Sequence, residues 1–318
     1  MAEDKTDKTS DNQPVSLNVL PFEVQSLIFD ELSLKDQHEL ISTCKYWHQN
    51  FKGLFLTNQN KHLCLSYIAH GKQNEAQALL LSNPDLLYYY GPVRDITGRT
   101  FTRISIFQYA LWAWDVKHMA KMIMQCLPPE EPGRLIKAVL LKQLKELEQK
   151  GLDYKFNGKT ISGEKHFDFK PLFEAYKTHI ANPLSVSNWL AVGAAQNELP
   201  ANIRQELCQQ NQTISNTAVF SQEHLNRTLK FFNYVTKKTE VWDANLLNLG
   251  KTFAIERCAA VDRPSGVARA TGSSFLSIDY NAMITLSQVR AANLAKLKQE
   301  LQESLDETIE HSSVNNIV

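Results

Sequence analysis

Residues 20–48 read LPFEVQSLIFDELSLKDQHELISTCKYWH, and local signals in this stretch predict three short helices. Pro21 can open the first helix, because its missing N–H is not needed in a first helical turn. Ser33 and Asp36 resemble a capping box and predict the start of a second helix. A third helix is expected to follow Cys44. Three short helices in about 40 residues make a compact unit with a small core.

The same stretch resembles the F-box family. The family pattern has a Leu-Pro opening followed by an acidic residue, apolar residues that close the first helix, and a Cys/Ser-Lys-x-Trp ending. The matching positions are Leu20, Pro21, Glu23, Ile28, Leu32, Asp36, Cys44, Lys45 and Trp47. One departure is Gln37-His38, where the family usually has a leucine, and this predicts weaker packing of the second helix.

The resemblance implies that the partner is the Skp adaptor of a cullin–RING (SCF) ubiquitin ligase. Three short helices cannot bury all of their apolar faces, so a spare apolar surface is expected to remain for a partner. The candidate adaptor-binding residues are Leu20, Pro21, Glu23, Val24, Ile28, Leu32, Leu40, Cys44 and Trp47. The alternative is a small helical bundle packed on the next domain, since Leu, Ile and Trp at helical spacing are ordinary core residues.

The composition of the 318-residue chain restricts its partners. Its 34 Lys and Arg balance its 34 Asp and Glu, so no bulk attraction to nucleic acid or to an anionic membrane is expected. No window approaches the roughly 20 apolar residues that cross a bilayer, and the N-terminus has no apolar region typical of a signal peptide. Five scattered cysteines without a C-x-x-C pair favour a reducing compartment.

The rest of the chain predicts a larger, mainly α-helical domain with one small β-hairpin. The periodicity of apolar residues predicts helices at 134–150, 172–180, 189–195, 203–210, 225–235 and 281–308. Asn157-Gly158 predicts the hairpin, because this dipeptide favours a type I′ turn. The expected segments are a disordered arm at 1–14, an F-box at 15–56, a degenerate ankyrin-like helical segment at 57–130, a helical target-binding region with a C-terminal helix at 131–310, and a frayed tail at 311–318.

A second resemblance covers several segments of this domain. Residues 83–87, 95–99, 107–115, 163–169 and 189–196 look like a helical region shared by effectors that intracellular bacterial pathogens inject into host cells. Some of these effectors carry F-boxes and ankyrin-like repeats, although the T-P-L-H signature and a regular period are missing here. The acidic stretch from Glu300 to Glu310 resembles a type IV secretion signal, and its alternative is a solvated helix face. This resemblance implies non-classical secretion into the host cytoplasm.

Several reactive side chains lack the pattern of a catalytic or metal site. The sets in question are Cys44, His48, His62 and Cys64 as zinc ligands, Ser162, Glu164 and His166 as a triad, Cys126, Cys208 and Cys258 as nucleophiles, and Thr271–Ser274 as a phosphate loop. The zinc set has unusual ligand spacing, the triad has no nucleophile elbow, the thiols lie in apolar helical contexts, and the loop has no lysine. No catalytic residue, metal or cofactor is therefore predicted.

The sequence predicts an adaptor that binds Skp and recruits an unknown host target protein, without enzymatic activity of its own. Two alternatives stay open: an effector enzyme with an unrecognised site in the C-terminal domain, and a ligase-independent scaffold. Tyr88, Tyr89 and Tyr90 are the candidate target-binding residues. Tyrosine is enriched among interface anchors, and three adjacent rings beside a Gly-Pro turn cannot all face one core.

Overall fold

The computed structural model describes residues 17–209, 220, 222–243, 246–257, 267–270 and 276–314, without the side chains of residues 18 and 304–314. The chain forms two compact units, Met1–Asn60 and Lys61–Val318. It is mainly α-helical, as predicted. The arm expected at 1–14 lies outside the described residues, and so do the side chains of the expected tail.

The first unit contains the helices predicted from the opening stretch. Its elements are a 3-10 turn at Leu17–Val19, α1 at Phe22–Glu31, α2 at Leu34–Thr43 and the beginning of α3, which spans Lys45–Ala69. Ser33 caps α2 through its side chain, which accepts a hydrogen bond of 3.2 Å from the Asp36 N–H. The third helix is not short as predicted: it has 25 residues, and its last turns belong to the second unit.

The core of the first unit is built around aromatic rings that pack on one another at tilted angles. The Phe51 ring centroid lies 5.0 Å from that of Phe29 and 4.6 Å from that of Trp47. Ile41 on α2 completes this buried apolar cluster. Such a small core depends on each of its members, because little other apolar surface is removed from water.

Gln37 belongs to the Gln37-His38 pair, at which the F-box family usually has a leucine. It is buried, and its Nε2 donates hydrogen bonds to the carbonyl oxygens of Phe29 at 2.9 Å and Leu32 at 3.1 Å. These carbonyls lie at the C-terminal end of α1, where the last carbonyls of a helix have few partners within the helix. The Phe29 carbonyl also accepts from the Leu32 N–H at 3.2 Å, so the amide adds a second bond there and supplies a partner for the Leu32 carbonyl.

The second unit contains most of the helices and a large continuous core. Its helices are α4 at Gln73–Ser82, α5 at Ile106–Trp112, α6 at Lys121–Gln125, α7 at Glu130–Lys150, α8 at Lys170–Ala181, α9 at Val186–Gln196, α10 at Ala201–Leu207 and α11 at Leu276–Val314. A 3-10 helix at Pro84–Tyr88 and a π-helical turn at Val116–Ala120 connect some of them. Gly151 ends α7 with a φ of 67°, a conformation that glycine adopts without strain.

A four-stranded antiparallel sheet extends the hairpin that the sequence predicted. Its strands are β1 at Tyr90–Arg94, β2 at Thr100–Ser105, β3 at Leu152–Phe156 and β4 at Lys159–Glu164, in that order across the sheet. The predicted hairpin is confirmed as β3–β4, with positive φ at Asn157 and Gly158. The β1–β2 hairpin was not predicted and lies inside the segment expected to be ankyrin-like helices.

A second sheet corrects one predicted helix. The strands β5 at Lys230–Asn233, β6 at Lys238–Val241, β7 at Ala254–Glu256 and β8 at Val267–Arg269 are arranged in the order β6-β5-β8-β7. The helix expected at 225–235 is wrong, because residues 230–233 form β5 with Phe231 buried in the core. Its register is set by a distant partner: Phe232 pairs with Val267 in a parallel ladder.

The C-terminal helix α11 is longer than the predicted 281–308. Leu297 and Leu301 on this helix are buried in the core of the second unit. The acidic stretch that resembles a secretion signal therefore begins beside a core residue, and its side chains from 304 onward lie outside the described residues. In the described part of the chain, no helix is long and apolar enough to cross a membrane.

Candidate functional site

Five large apolar side chains remain exposed at the start of the first unit, and we call them the α1 surface. They are Leu17, Val19, Phe22, Val24 and Leu27. Val19 and Leu27 are the most open, with 72% and 68% of their surface exposed. Single exposed apolar residues are ordinary, but several on one short helix and the turn before it indicate a surface that a partner covers.

The predicted adaptor-binding residues are distributed between this surface and the layer below it. Pro21, Glu23, Val24 and Cys44 are exposed, Leu20, Ile28, Leu32 and Leu40 are half-buried, and Trp47 is buried. The Trp47 indole lies in the aromatic core, so it supports the surface from within and does not present its ring to solvent. The predicted adaptor-binding residues on α1 therefore lie on the same short helix as the exposed side chains of the α1 surface, and Val24 belongs to both groups.

Two polar side chains fix the Leu-Pro opening in place. Gln25 is buried, and its Nε2 donates a hydrogen bond of 2.7 Å to the Leu20 carbonyl oxygen. The Tyr46 hydroxyl on α3 donates to Gln25 Oε1 at 2.9 Å. The backbone before Pro21 is therefore tied to α1 and α3. Gln25 and Tyr46 were not predicted from the sequence, because polar residues on a helix are usually solvent-exposed.

Phe22 and Leu27 were also missed as surface residues. The available signal is the distribution of apolar residues on α1, where Phe22, Val24, Leu27, Ile28 and Phe29 surround the helix. A surface helix of a globular domain normally has a single apolar stripe. Phe22 lies on the same side of α1 as the buried Phe29 and its ring is 5.3 Å from that of Phe51, whereas Val24 and Leu27 lie on the opposite side and face outward.

The three predicted target-binding tyrosines have different environments. Tyr88 is exposed at the end of the 3-10 helix. Tyr89 packs against the core, its hydroxyl lies 3.2 Å from the His62 ring nitrogens, and burial raises its pKa to about 12. The Tyr90 ring lies 4.5 Å from the Arg103 guanidinium carbon. Tyr88 is thus the most accessible of the three, with 42% of its surface exposed.

Alanine substitution should separate these roles. We expect Tyr88→Ala to change the free energy of unfolding by less than about 0.5 kcal/mol, because the side chain is exposed. Tyr89→Ala should lower it by about 2 kcal/mol or more, because it removes a ring packed on the core. Urea denaturation of both variants measures the difference. Equal losses would show that Tyr88 is also structural.

The cysteines have the properties of buried structural thiols. Burial raises the pKa of Cys64 and Cys208 to about 12, and it also raises the pKa of Cys126. A thiol must lose its proton to act as a nucleophile, so these three are poorly suited to that role at neutral pH. Cys258 and Thr271–Ser274 lie outside the described residues.

Glu164 and His166 make separate contacts and do not assemble a triad with Ser162. Glu164 Oε2 accepts hydrogen bonds of 2.8 Å from both the Trp112 indole and the Tyr154 hydroxyl. His166 Nδ1 lies 3.2 Å from the Leu111 carbonyl oxygen. Among the residues whose placement is described, no group of three or more His, Cys, Asp or Glu side chains could hold a metal ion.

Comparison with known proteins finds a family match in each of two segments of the chain. The F-box domain family matches residues 17–57, and the CBUA0006 C-terminal domain family matches residues 172–301. A protein of Coxiella burnetii, described as "Uncharacterized protein CBUA0006", is 31% identical over 271 residues, which cover 78% of this chain and 77% of that protein. No solved structure matches the chain. The chain therefore carries an F-box domain and belongs to the same family as the Coxiella protein CBUA0006.

Proposed function

We propose that the chain is an adaptor that binds the Skp subunit of a cullin–RING ubiquitin ligase and recruits a target protein. The observation that carries this proposal is the coincidence of the F-box match with the α1 surface: residues 17–57 include all five of its exposed apolar side chains. F-box domains are adaptor modules, so the ubiquitin chemistry would belong to the ligase and not to this chain.

The α1 surface has the properties of a binding site for an apolar groove. Its residues lie on a helix and the turn before it, and a helix with exposed apolar side chains can bind in a hydrophobic groove. Binding would cover side chains that now contact water, and each large apolar side chain contributes about 1.5–3 kcal/mol when fully buried. Gln25 holds the Leu20 carbonyl in the free chain, so this segment is already ordered and loses less conformational entropy on binding.

The second unit would then present the target-binding surface, and Tyr88 is the best placed of the predicted tyrosines. The organism of the relative, a pathogen, supports the proposal that the target is a host protein and that the chain is an effector acting in the host cytoplasm. Secretion by a type IV route is part of the same proposal and rests on the acidic C-terminal stretch.

The adaptor proposal is tested by weakening the Leu-Pro opening. We expect Leu20→Ala combined with Pro21→Ala to reduce the affinity for purified Skp at least tenfold, about 1.4 kcal/mol, because interface anchors commonly contribute more than 1 kcal/mol each. Isothermal titration calorimetry on the full chain measures the loss. Leu184→Ala is a matched control, because Leu184 is exposed in the second unit. Unchanged affinity in a folded double variant would contradict the proposal.

A second measurement separates the adaptor from an enzyme and from a passive scaffold. The full chain, its double variant and a captured host target are combined with a reconstituted ligase, and ubiquitin transfer to the target is followed. An adaptor gives transfer that depends on Leu20 and Pro21. Modification of the target without the ligase would indicate an enzyme, and Skp binding without any transfer would indicate a scaffold.

A further inference from the structure

A small cavity in the second unit has apolar walls and acidic residues at its edge. We call it the Arg99 pocket; it is bounded by Arg99, the β3–β4 hairpin, residues 164–172 and the end of α9. Its volume is about 190 Å³. Cofactors and drug-sized ligands usually occupy about 300–1,000 Å³, so this pocket has room for one side chain of a larger partner.

The apolar part of the pocket is formed by residues from three elements. Phe156 and Ile161 come from the β3–β4 hairpin, Phe167 follows β4, and Leu172 lies in the first turn of α8. An apolar wall of this kind can pack along the methylene stem of a long side chain, whose polar end then reaches the edge.

The charged residues of the pocket are mostly acidic. Glu164, Asp168 and Glu198 supply three carboxylates, against the single guanidinium of Arg99. In the described part of the chain, no lysine or arginine forms an ion pair with any of these three carboxylates. The pocket therefore carries an excess of negative charge that a cationic group would neutralise.

Arg99 offsets one of these three negative charges, and its guanidinium is fixed by hydrogen bonds to neutral acceptors. Only 3% of its surface is exposed, and its Nη1 donates hydrogen bonds to Thr97 Oγ1 at 2.7 Å and to the Glu198 carbonyl oxygen at 2.6 Å. Its guanidinium carbon lies 4.3 Å from the centre of the Phe156 ring. Its Nε has no hydrogen-bond partner in the described residues, so one buried donor at the pocket lacks an acceptor.

We propose that the Arg99 pocket binds a lysine or arginine side chain of an extended peptide segment in the recruited target. The apolar walls would hold the methylene stem, and the three carboxylates would bind the cationic end. The pocket would thereby give the second unit a preference for basic segments. This inference deepens the proposed recruitment role and rests on it.

Peptide titration of the full chain tests the pocket without any adaptor present. The probes are acetylated, amidated pentapeptides with alanine and glycine around a central lysine, arginine, norleucine or glutamate. The reporter is the nuclear magnetic resonance signal of the Trp112 indole N–H, because this group donates to Glu164 at the pocket. We expect saturable shifts with the lysine and arginine peptides, and no comparable shift with the norleucine or glutamate peptide.

Charge-neutral variants show whether the carboxylates are responsible. Asp168→Asn with Glu198→Gln should weaken binding of the basic peptides at least tenfold, about 1.4 kcal/mol. Asparagine at 168 retains the oxygen that accepts from the Lys170 N–H, so the start of α8 is preserved. Asp85→Asn with Glu174→Gln is the control, because it removes the same charges away from the pocket and should leave affinity unchanged.

The outcomes separate this inference from the adaptor proposal. Absence of a saturable shift up to about 10 mM basic peptide, equal shifts with norleucine, or full affinity in the Asp168/Glu198 variant would each overturn it. The Leu20/Pro21 double variant should bind the basic peptides normally, because its changes lie in the first unit. If that variant loses Skp binding and the basic peptides produce no saturable shift, the adaptor role is supported and the pocket proposal is rejected.

Discussion

Phe29→Ala is expected to lower the free energy of unfolding of the first unit by about 3–5 kcal/mol, the range for removing a fully buried aromatic ring. Phe29 has no exposed surface, and its ring packs on Phe51 in a cluster with Ile41 and Trp47. Single domains are stabilised by only about 5–15 kcal/mol, and a unit of this size lies at the low end. The variant should therefore lose both the folded first unit and its affinity for Skp.

Phe22→Ala is the matched control for this result, because it removes the same ring from the same helix at a position that is 51% exposed. It should weaken Skp binding while leaving most of the stability in place. Hydrogen exchange of the α1 and α2 amides, measured in the full chain, distinguishes local unfolding from loss of a contact. If Phe29→Ala kept slow exchange in both helices, the aromatic cluster would not be the stabilising core of this unit.

Asp115→Asn is expected to destabilise the second unit by about 3 kcal/mol, because it leaves a largely buried arginine without its counter-charge. Arg227 Nη1 lies 2.7 Å from Asp115 Oδ2, and its Nη2 lies 3.2 Å from Oδ1. The same guanidinium also bonds to Gln73 and Gln205, so it joins α4, α10 and the segment before β5. Loss of the carboxylate charge weakens the centre of this network.

The effect of Asp115 should depend on pH in a defined direction. Burial alone would raise its pKa, but Arg227, together with weaker contributions from Arg290 and His118, lowers it below the ordinary value. A lowered pKa in the folded state stabilises the protein above the unfolded-state pKa of about 4, and this contribution is lost as pH falls through the folded-state pKa. The difference between the wild type and Asp115→Asn should therefore be largest at neutral pH and shrink in acid.

Urea unfolding followed by tryptophan fluorescence measures this difference, since four of the five tryptophans lie in the second unit. Glu174→Gln serves as the control, because the Glu174–Lys177 ion pair is solvent-exposed and such pairs contribute about 0–1 kcal/mol. A difference that stayed constant from neutral pH to about pH 3 would contradict an ionised Asp115 as the source of stability.

The elements predicted correctly from the sequence are those specified by nearby residues. The capping side chain of Ser33, the Asn157-Gly158 turn and Gly151 at the end of α7 each act within a few residues, so their signals are readable without knowledge of the fold. Strand β5 was misread, because Phe231 and Phe232 are compatible with a helix and become a strand by pairing with β8, about 35 residues later in the chain.

The candidate site was predictable in part for the same reason. The Leu-Pro opening is a local pattern, whereas the roles of Gln25 and Gln37 depend on which backbone carbonyls the fold brings to their side chains. Trp47 matches the family pattern but lies in the core. A sequence pattern does not distinguish a residue that packs inside the domain from one that contacts the partner. The Arg99 pocket combines residues 99 to 198, so no single segment reveals it.

The α1 surface also has a consequence for the solubility of the isolated protein. The formal net charge of the chain is zero at neutral pH, so two molecules have little electrostatic repulsion to keep them apart. Exposed side chains such as Val19 and Leu27 then provide a surface through which copies can self-associate at high concentration. Purification together with the partner, or at a pH away from neutrality, should keep the protein monodisperse.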